Sequence, residues 1–311
     1  MITPTQVLDR METVIIGKRP VLELVLAAML ADGHVLIEDV PGVAKTLLAR
    51  ALARVFALEF SRAQMTPDLL PADLTGTGIW DERERAFIFQ PGPIFAQILL
   101  VDELNRATPR TQAGLLEAME ERAVTAEGRR HALPEPFFVL ATQNPIEQHG
   151  VFPLPEAQLD RFLIQVAMGY PSFEEEVRIV EAQARARPLD ALEPLASGVD
   201  FEAMRAAVAR VHTDPSVLDY LVRLTRATRS REEVMLGASP RASLGLHHMA
   251  RALAYIGGSA YVLPDHVKRA APAVLRHRLM LTPQARLAGL DHDQVIESIL
   301  CSVDVPIYVR S

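Results

Sequence analysis

The sequence predicts an α/β fold, a parallel sheet packed between helices, followed by a smaller all-α domain. Three observations carry that expectation. Short aliphatic runs alternate with helical patterns through the first half of the chain. The runs are apolar almost without interruption, as strands covered on both faces must be. Past Tyr170-Pro171 the character changes, and from Phe201 onward nearly everything reads as helix.

Taken in order, His34–Glu38, Ile98–Val101 and Phe137–Ala141 are the clear strands, and Leu58–Gln64 and Phe162–Ala167 are weaker ones. Lys45–Leu58 and Thr111–Arg122 combine helical periodicity with good helix formers. Two segments interrupt the alternation. Gly76–Pro93, rich in glycine and aromatics, reads as a hairpin with Asp81-Glu82-Arg83-Glu84 near its tip. Ala123–Pro134 reads as a second hairpin turning at Glu127-Gly128. Phe173–Ala186 is an amphipathic helix, and Arg187–Val199 a proline-containing linker. From Phe201 onward the chain is helical, with helix starts at Asp214-Pro215, Ser239-Pro240 and Leu263-Pro264. The change of character near Pro171 divides the chain into residues 1–170, a core with two inserted hairpins, and residues 171–311, a helical domain. No internal repeat or low-complexity segment is found.

A chain of 311 residues has room for two such domains. Half of it is apolar and a quarter charged, as in ordinary globular proteins. A formal net charge of −7 argues against an extended nucleic-acid-binding face, which needs clustered lysine and arginine. The single cysteine, Cys301, reads as a small apolar helix residue and allows no intrachain disulfide. Asp9 and Glu12 interrupt the N-terminal apolar residues, no basic region precedes them, and Val21–Leu30 is too short to span a bilayer. A cytoplasmic protein without membrane insertion is expected.

The strongest local signal is Asp39-Val40-Pro41-Gly42-Val43-Ala44-Lys45-Thr46, set between an apolar strand and a helix. A phosphate-binding loop wraps its ligand with backbone N–H groups and the positive end of a helix; its lysine reaches the β- and γ-phosphates, and the following hydroxyl ligates Mg²⁺. The match to G-x-x-x-x-G-K-[ST] is imperfect, with Asp39 and Ala44 in the glycine positions. Ala44 is tolerable there if its dihedrals are already those of a right-handed helix. The Asp39 carboxylate would repel a triphosphate unless it points away.

Support for the loop lies downstream. Ile98-Leu99-Leu100-Val101 ends in Asp102-Glu103, so two carboxylates stand at the tip of a buried strand, where ligands of open parallel sheets bind. Asp102 is suited to holding Mg²⁺ and Glu103 to polarising an attacking water. Asn144 ends the next strand and can position that water. Arg161, before the last strand, and Arg241, at a helix start, are candidates for stabilising charge on the γ-phosphate, and an arginine that comes from a neighbour requires oligomerisation.

With those residues in place the chain resembles the MoxR family of AAA+ ATPases along nearly its whole length. The resemblance runs through Leu36–Leu48, Thr66–Asp73, Gly92–Phe95, Asp102–Ala107, Gln112–Glu121, Ala141–Pro145, Pro153–Phe162 and Ala271–Arg278. It implies an AAA+ P-loop NTPase core and a small helical lid, with ATP and Mg²⁺ held at the interface between subunits of a homo-oligomer, usually a hexamer. It places nucleotide on Val40, Pro41, Gly42, Val43, Ala44, Lys45, Thr46 and Leu47, metal on Thr46 and Asp102, and catalysis on Asp102, Glu103, Asn144, Arg161 and Arg241. Asn144 falls on sensor 1 and Arg241 on sensor 2; Arg161 is the choice for the arginine finger, with Arg106 its rival. The two hairpins correspond to the helix-2 insert and the pre-sensor hairpin. Family members resemble chaperone-like remodellers that act on protein clients with partners carrying von Willebrand factor A domains.

Two other readings follow from the same residues. The degenerate loop admits a nucleotide-dependent switch or scaffold with negligible hydrolysis, which the intact Asp102-Glu103 pair opposes. A DNA-acting motor needs basic hairpins, and Arg83, Arg85, Arg129 and Arg130 stand there beside Asp81, Glu82, Glu84 and Glu127.

Overall fold

The computed structural model describes residues 2–40, 42–144, 150–185 and 188–306. Its helices are α1 (Pro4–Glu12), α2 (Arg19–Leu30), α3 (Lys45–Val55), α4 (Pro71–Thr75), α5 (Pro109–Glu121), α6 (Glu156–Leu159) and α7 (Phe173–Arg185). After these come α8 (Gly198–Ala209), α9 (Pro215–Ala227), α10 (Pro240–Ile256), α11 (Pro264–Leu275), α12 (Pro283–Leu287) and α13 (His292–Ser302). The strands are β1 (Val35–Glu38), β2 (Phe60–Gln64), β3 (Gly76–Asp81), β4 (Ala86–Pro91), β5 (Ile98–Asp102) and β6 (Ala123–Ala126). They continue with β7 (Arg129–Ala132), β8 (Phe138–Gln143), β9 (Ile164–Val166), β10 (Val234–Leu236) and β11 (Met280–Leu281).

Five strands form one sheet in the order β2-β5-β8-β1-β9. The pairings β2–β5, β5–β8 and β1–β8 are all parallel, with Ile98 opposite Phe138 and Val35 opposite Leu140. Parallel strands require crossovers, and α3 supplies the one after β1. Every residue of β5 is buried, Ile98 through Val101 completely, which is why this strand is legible as an unbroken apolar run. Chain order reverses around β1, so the loop leaving its C-terminal tip sits where open α/β sheets bind ligands.

Both expected hairpins form. In the first, β3 pairs with β4 from Gly76 opposite Pro91 to Asp81 opposite Ala86. Its base demands glycine: a Cβ on Gly76 would lie 2.3 Å from the Gln90 carbonyl oxygen, and one on Gly92 2.3 Å from that of Leu74. The second pairs β6 with β7 around Glu127-Gly128, both at positive φ. The two hairpins meet where Phe89 stacks on His131, with ring centroids 3.9 Å apart.

The chain divides into two compact units, one of residues 1–21, 34–161 and 166–201, the other of residues 22–33, 162–165 and 202–311. In the sheet unit, α7 contributes Ile179, Ala182 and Gln183 to a cavity beside the loop after β1. The N–H groups of Leu195 and Ala196 donate to the Val55 carbonyl, and Phe201 packs edge-on against Phe56. In the helical unit, α9, α10 and α11 begin at Pro215, Pro240 and Pro264 as expected. The two-stranded β10–β11 ribbon was not anticipated, since three- and two-residue strands carry no readable period. Cys301 lies on α13 and is exposed, so it is a helix residue without being a packing one. Among the described residues no helix is long and apolar enough to cross a membrane.

Candidate functional site

The loop after β1 is shaped for an anion. Gly42 has φ +89°, and nothing lies within 4 Å of where a Cβ would stand. Ala44 adopts φ 62°, ψ 22° at the N-cap of α3 and makes no side-chain cap bond there. Its left-handed backbone corrects the expectation of right-handed helical dihedrals at this position: the loop needs the glycine-like conformation and imposes it on alanine. The first turn of α3 consequently offers its N–H groups to a ligand instead of to a capping side chain.

Asp39 behaves as the loop requires. Its Oδ1 accepts from the Val40 N–H at 2.8 Å and its Oδ2 from the Gly169 N–H at 2.7 Å, so the buried carboxylate ties the loop to the segment after β9. Its carbonyl oxygen accepts from Lys45 Nζ at 2.6 Å. Burial pushes the Lys45 ammonium below its ordinary pKa, against the opposing pull of Asp39, Asp102 and Glu103.

A cavity of about 390 Å³ opens at the sheet edge, lined by Gly42, Ala44, Lys45, Thr46 and Leu47 from the loop and α3, and by Asp102, Glu103 and Asn144 from the tips of β5 and β8. A second, apolar cavity of about 130 Å³ shares Gly42, Ala44 and Leu47 and is walled by Val43, Ile15 and Met168. Polar and apolar chambers joined at a glycine-containing loop fit a ligand with a polyanionic tail and a flat apolar head. The Thr46 hydroxyl and the Asp102 carboxylate are hard oxygen donors, the set suited to Mg²⁺ beside phosphate.

The carboxylates are held in place by groups that the sequence alone does not single out. Thr142 Oγ1 accepts from the Glu103 N–H at 2.9 Å and donates to Asp102 Oδ1 at 3.3 Å. Glu103 itself has a left-handed backbone, φ 56°, which turns its side chain out of the strand. On β2, Arg62 Nε donates to Asp102 Oδ2 at 2.6 Å, and Gln64 Nε2 donates to Glu103 Oε2 at 2.7 Å. The signal available for these two was their spacing: residues two apart on an edge strand share one face.

The remaining candidates are dispersed. Arg161 lines neither cavity; its guanidinium donates to the Leu116 carbonyl at 2.6 Å and pairs with Glu120 at 3.0 Å, both on α5. Arg106 pairs with Glu103 of its own chain at 2.9 Å. Arg241 is the second residue of α10 in the helical unit, exposed, behind the Ser239 cap. Pro41 lies outside the described residues, as does Pro145.

Residues 34–164 match the model of the ATPase family associated with various cellular activities (AAA), and residues 226–299 match that of the AAA lid domain. The chain is 46% identical to YeaC of Bacillus subtilis, over 96% of this chain and 93% of that protein. It is 44% identical to the chaperone MoxR1 of Mycobacterium tuberculosis, over 94% and 80% respectively. A crystal structure from Cytophaga hutchinsonii superposes with a TM-score of 0.91 at 36% identity, covering 97% of this chain and 94% of that one. With MoxR of Paracoccus denitrificans also 32% identical over 87% of it, the chain belongs to the MoxR family of AAA+ ATPases.

Proposed function

We propose that the protein hydrolyses ATP with Mg²⁺ within a ring of identical subunits, a hexamer by its resemblance, and uses the cycle to remodel or assemble a protein client. The observation that carries the reading is the convergence of Lys45, Thr46, Asp102, Glu103 and Asn144 on one cavity at the tips of β1, β5 and β8. In this reading the adenine lies in the apolar chamber and the phosphates against the α3 N-terminus, gripped by Lys45. The Thr46 hydroxyl and Asp102 hold Mg²⁺, which offsets charge developing on the transferring phosphoryl group. Glu103 polarises the lytic water and Asn144 orients it. Arg161 serves a neighbouring subunit and Arg241 the nucleotide of its own, each opposing negative charge in the transition state. The chaperone name of the mycobacterial relative supports client remodelling, and the family resemblance supports a partner with a von Willebrand factor A domain.

Phosphate release and nucleotide binding test this together. Glu103→Gln is expected to keep ATP affinity within about three-fold while turnover falls at least a hundred-fold. Lys45→Ala is expected to abolish binding itself. Retention of parental affinity by K45A, or of parental turnover by E103Q, overturns the assignment of the site.

A further inference from the structure

Two carboxylates at the tip of β5 face two guanidiniums. Arg62 Nε donates to Asp102 Oδ2 at 2.6 Å, and Arg106 donates to Glu103 Oε2 at 2.9 Å. Arg62 also donates through a terminal nitrogen to Gln64 Oε1 at 3.1 Å, and Gln64 Nε2 in turn donates to Glu103 Oε2 at 2.7 Å. That contact fixes the amide: with its oxygen committed to a guanidinium, which can only donate, only its NH₂ is left to face Glu103. Arg62 therefore touches the metal-binding carboxylate directly and the water-polarising carboxylate through one side chain.

We propose that Arg62 is a positioning residue that competes with the divalent cation for Asp102, so that cation binding and release of the Arg62–Gln64–Glu103 chain are one coupled event. The proposal rests on the reading of Asp102 as a metal ligand. Three features support competition. Asp102 is the less mobile partner, its side chain 11% exposed and its other oxygen taken by Thr142, whereas that of Arg62 is 50% exposed on the edge strand β2 and free to swing outward. Arg62 already holds one of the two Asp102 oxygens, and a cation drawn to that carboxylate would meet its like charge. Lys45 adds a third positive group to the same cavity, so the carboxylates are the only local counter-charge for an arriving cation among the residues lining it. Once Arg62 leaves Asp102, Gln64 loses the contact that orients its amide, and its hold on Glu103 loosens.

The test titrates Mg²⁺ against the complex with a fluorescent, non-hydrolysable ATP analogue, starting from EDTA, in the parent and in Arg62→Gln. Competition predicts a Mg²⁺ midpoint about two- to five-fold lower in the variant, the range expected for losing a partly exposed charge pair. A midpoint unchanged or raised overturns the proposal; a raised one would make Arg62 a support for metal binding. Arg62→Lys keeps the charge without the Nε contact and should shift the midpoint the same way by less, so it decides the matter if the glutamine variant does not fold. A parent that fails to bind the analogue at any Mg²⁺ concentration removes the underlying site assignment, and this proposal with it. Binding with an unmoved midpoint removes only the role of Arg62.

Discussion

Asp39 stands where a phosphate loop ordinarily has glycine, and its surroundings account for that. A glycine there could not accept from the Gly169 N–H, and the tie between the loop and the segment after β9 would be lost. The sequence discloses the residue and the electrostatic demand that it point away, but not the distant N–H that satisfies it, because Gly169 is 130 positions along the chain. Ala44 shows the opposite failure, since nothing in a strand-loop-helix pattern distinguishes a left-handed alanine from a helical one. Relieving it is a direct experiment. Ala44→Gly removes about 1–2 kcal/mol of left-handed strain at a cost of about 0.5–1 kcal/mol in unfolded-chain entropy. Urea unfolding should therefore show the variant equal to the parent or up to about 1.5 kcal/mol more stable; a clear loss would mean that the methyl group packs usefully. His34 gives the residue scale its pH dependence. It accepts from the Val139 N–H at 3.1 Å through Nδ1 and donates through Nε2 to the Met119 carbonyl at 3.3 Å, so the neutral ring bridges β8 and α5. Burial, aided by the nearby Arg122, lowers its pKa to about 3. Because the unfolded chain takes up this proton near pH 6.5, the stabilisation is whole above that pH and drains away as the pH falls toward 3. Between pH 7.5 and pH 5, His34→Gln should lose about 2 kcal/mol less stability than the parent.

At the scale of elements, legibility follows how local the deciding interactions are. Helix starts were readable because proline at the first position and a small polar residue before it act within one turn: Asp214 caps the Ser216 N–H and Ser239 the Arg241 N–H. Ser239→Ala is expected to cost about 1 kcal/mol and to loosen the first turn of α10, which thermal melting would register. The hairpins were readable from their turns and glycines, but not the stacking of Phe89 on His131 that joins them, since it links separate ribbons. The site behaves likewise. Lys45 and Thr46 announce themselves at a helix start and Asp102 and Glu103 at a strand end, whereas Arg62 and Gln64 reach those carboxylates only because β2 runs parallel to β5 with Gln64 opposite Asp102. The outer half of the first hairpin exposes Ile79, Trp80, Phe87 and Ile88 on both of its faces. Trp80 is the sole tryptophan and about half exposed, so intrinsic fluorescence reports on that hairpin alone. Acrylamide should quench it readily in the isolated protein, and a partner seated on the hairpin should blue-shift the emission and slow quenching.

At the scale of the whole molecule, the proposed ring calls for an arginine that serves a neighbouring subunit, and the two candidates differ in what already holds them. Arg106 is three residues from Glu103 and pairs with it, which ties its charge to its own site. Arg161 is anchored on α5 by the Leu116 carbonyl and Glu120, lines neither chamber of the nucleotide cavity, and keeps a side chain about one-third exposed. A group that serves a neighbour must be accessible yet held in a fixed direction, and Arg161 meets both requirements. The assignment makes a prediction that no isolated subunit can mimic. Arg161→Ala leaves each subunit its own carboxylates but deprives the neighbour of an arginine; Glu103→Gln leaves the arginine but disables its own carboxylate. Each variant alone should turn over at least a hundred-fold more slowly than the parent. Mixed in equal amounts with ATP, they should form rings in which an Arg161→Ala site is completed by the arginine of a Glu103→Gln neighbour. Phosphate release should then rise well above the sum of the separate proteins, with dilution of the mixture below the assembly concentration abolishing the gain. If Arg161 acts only within its own chain, the mixture stays at the sum. Recovery in the corresponding Arg106→Ala mixture, with none in the Arg161→Ala one, would transfer the role to Arg106.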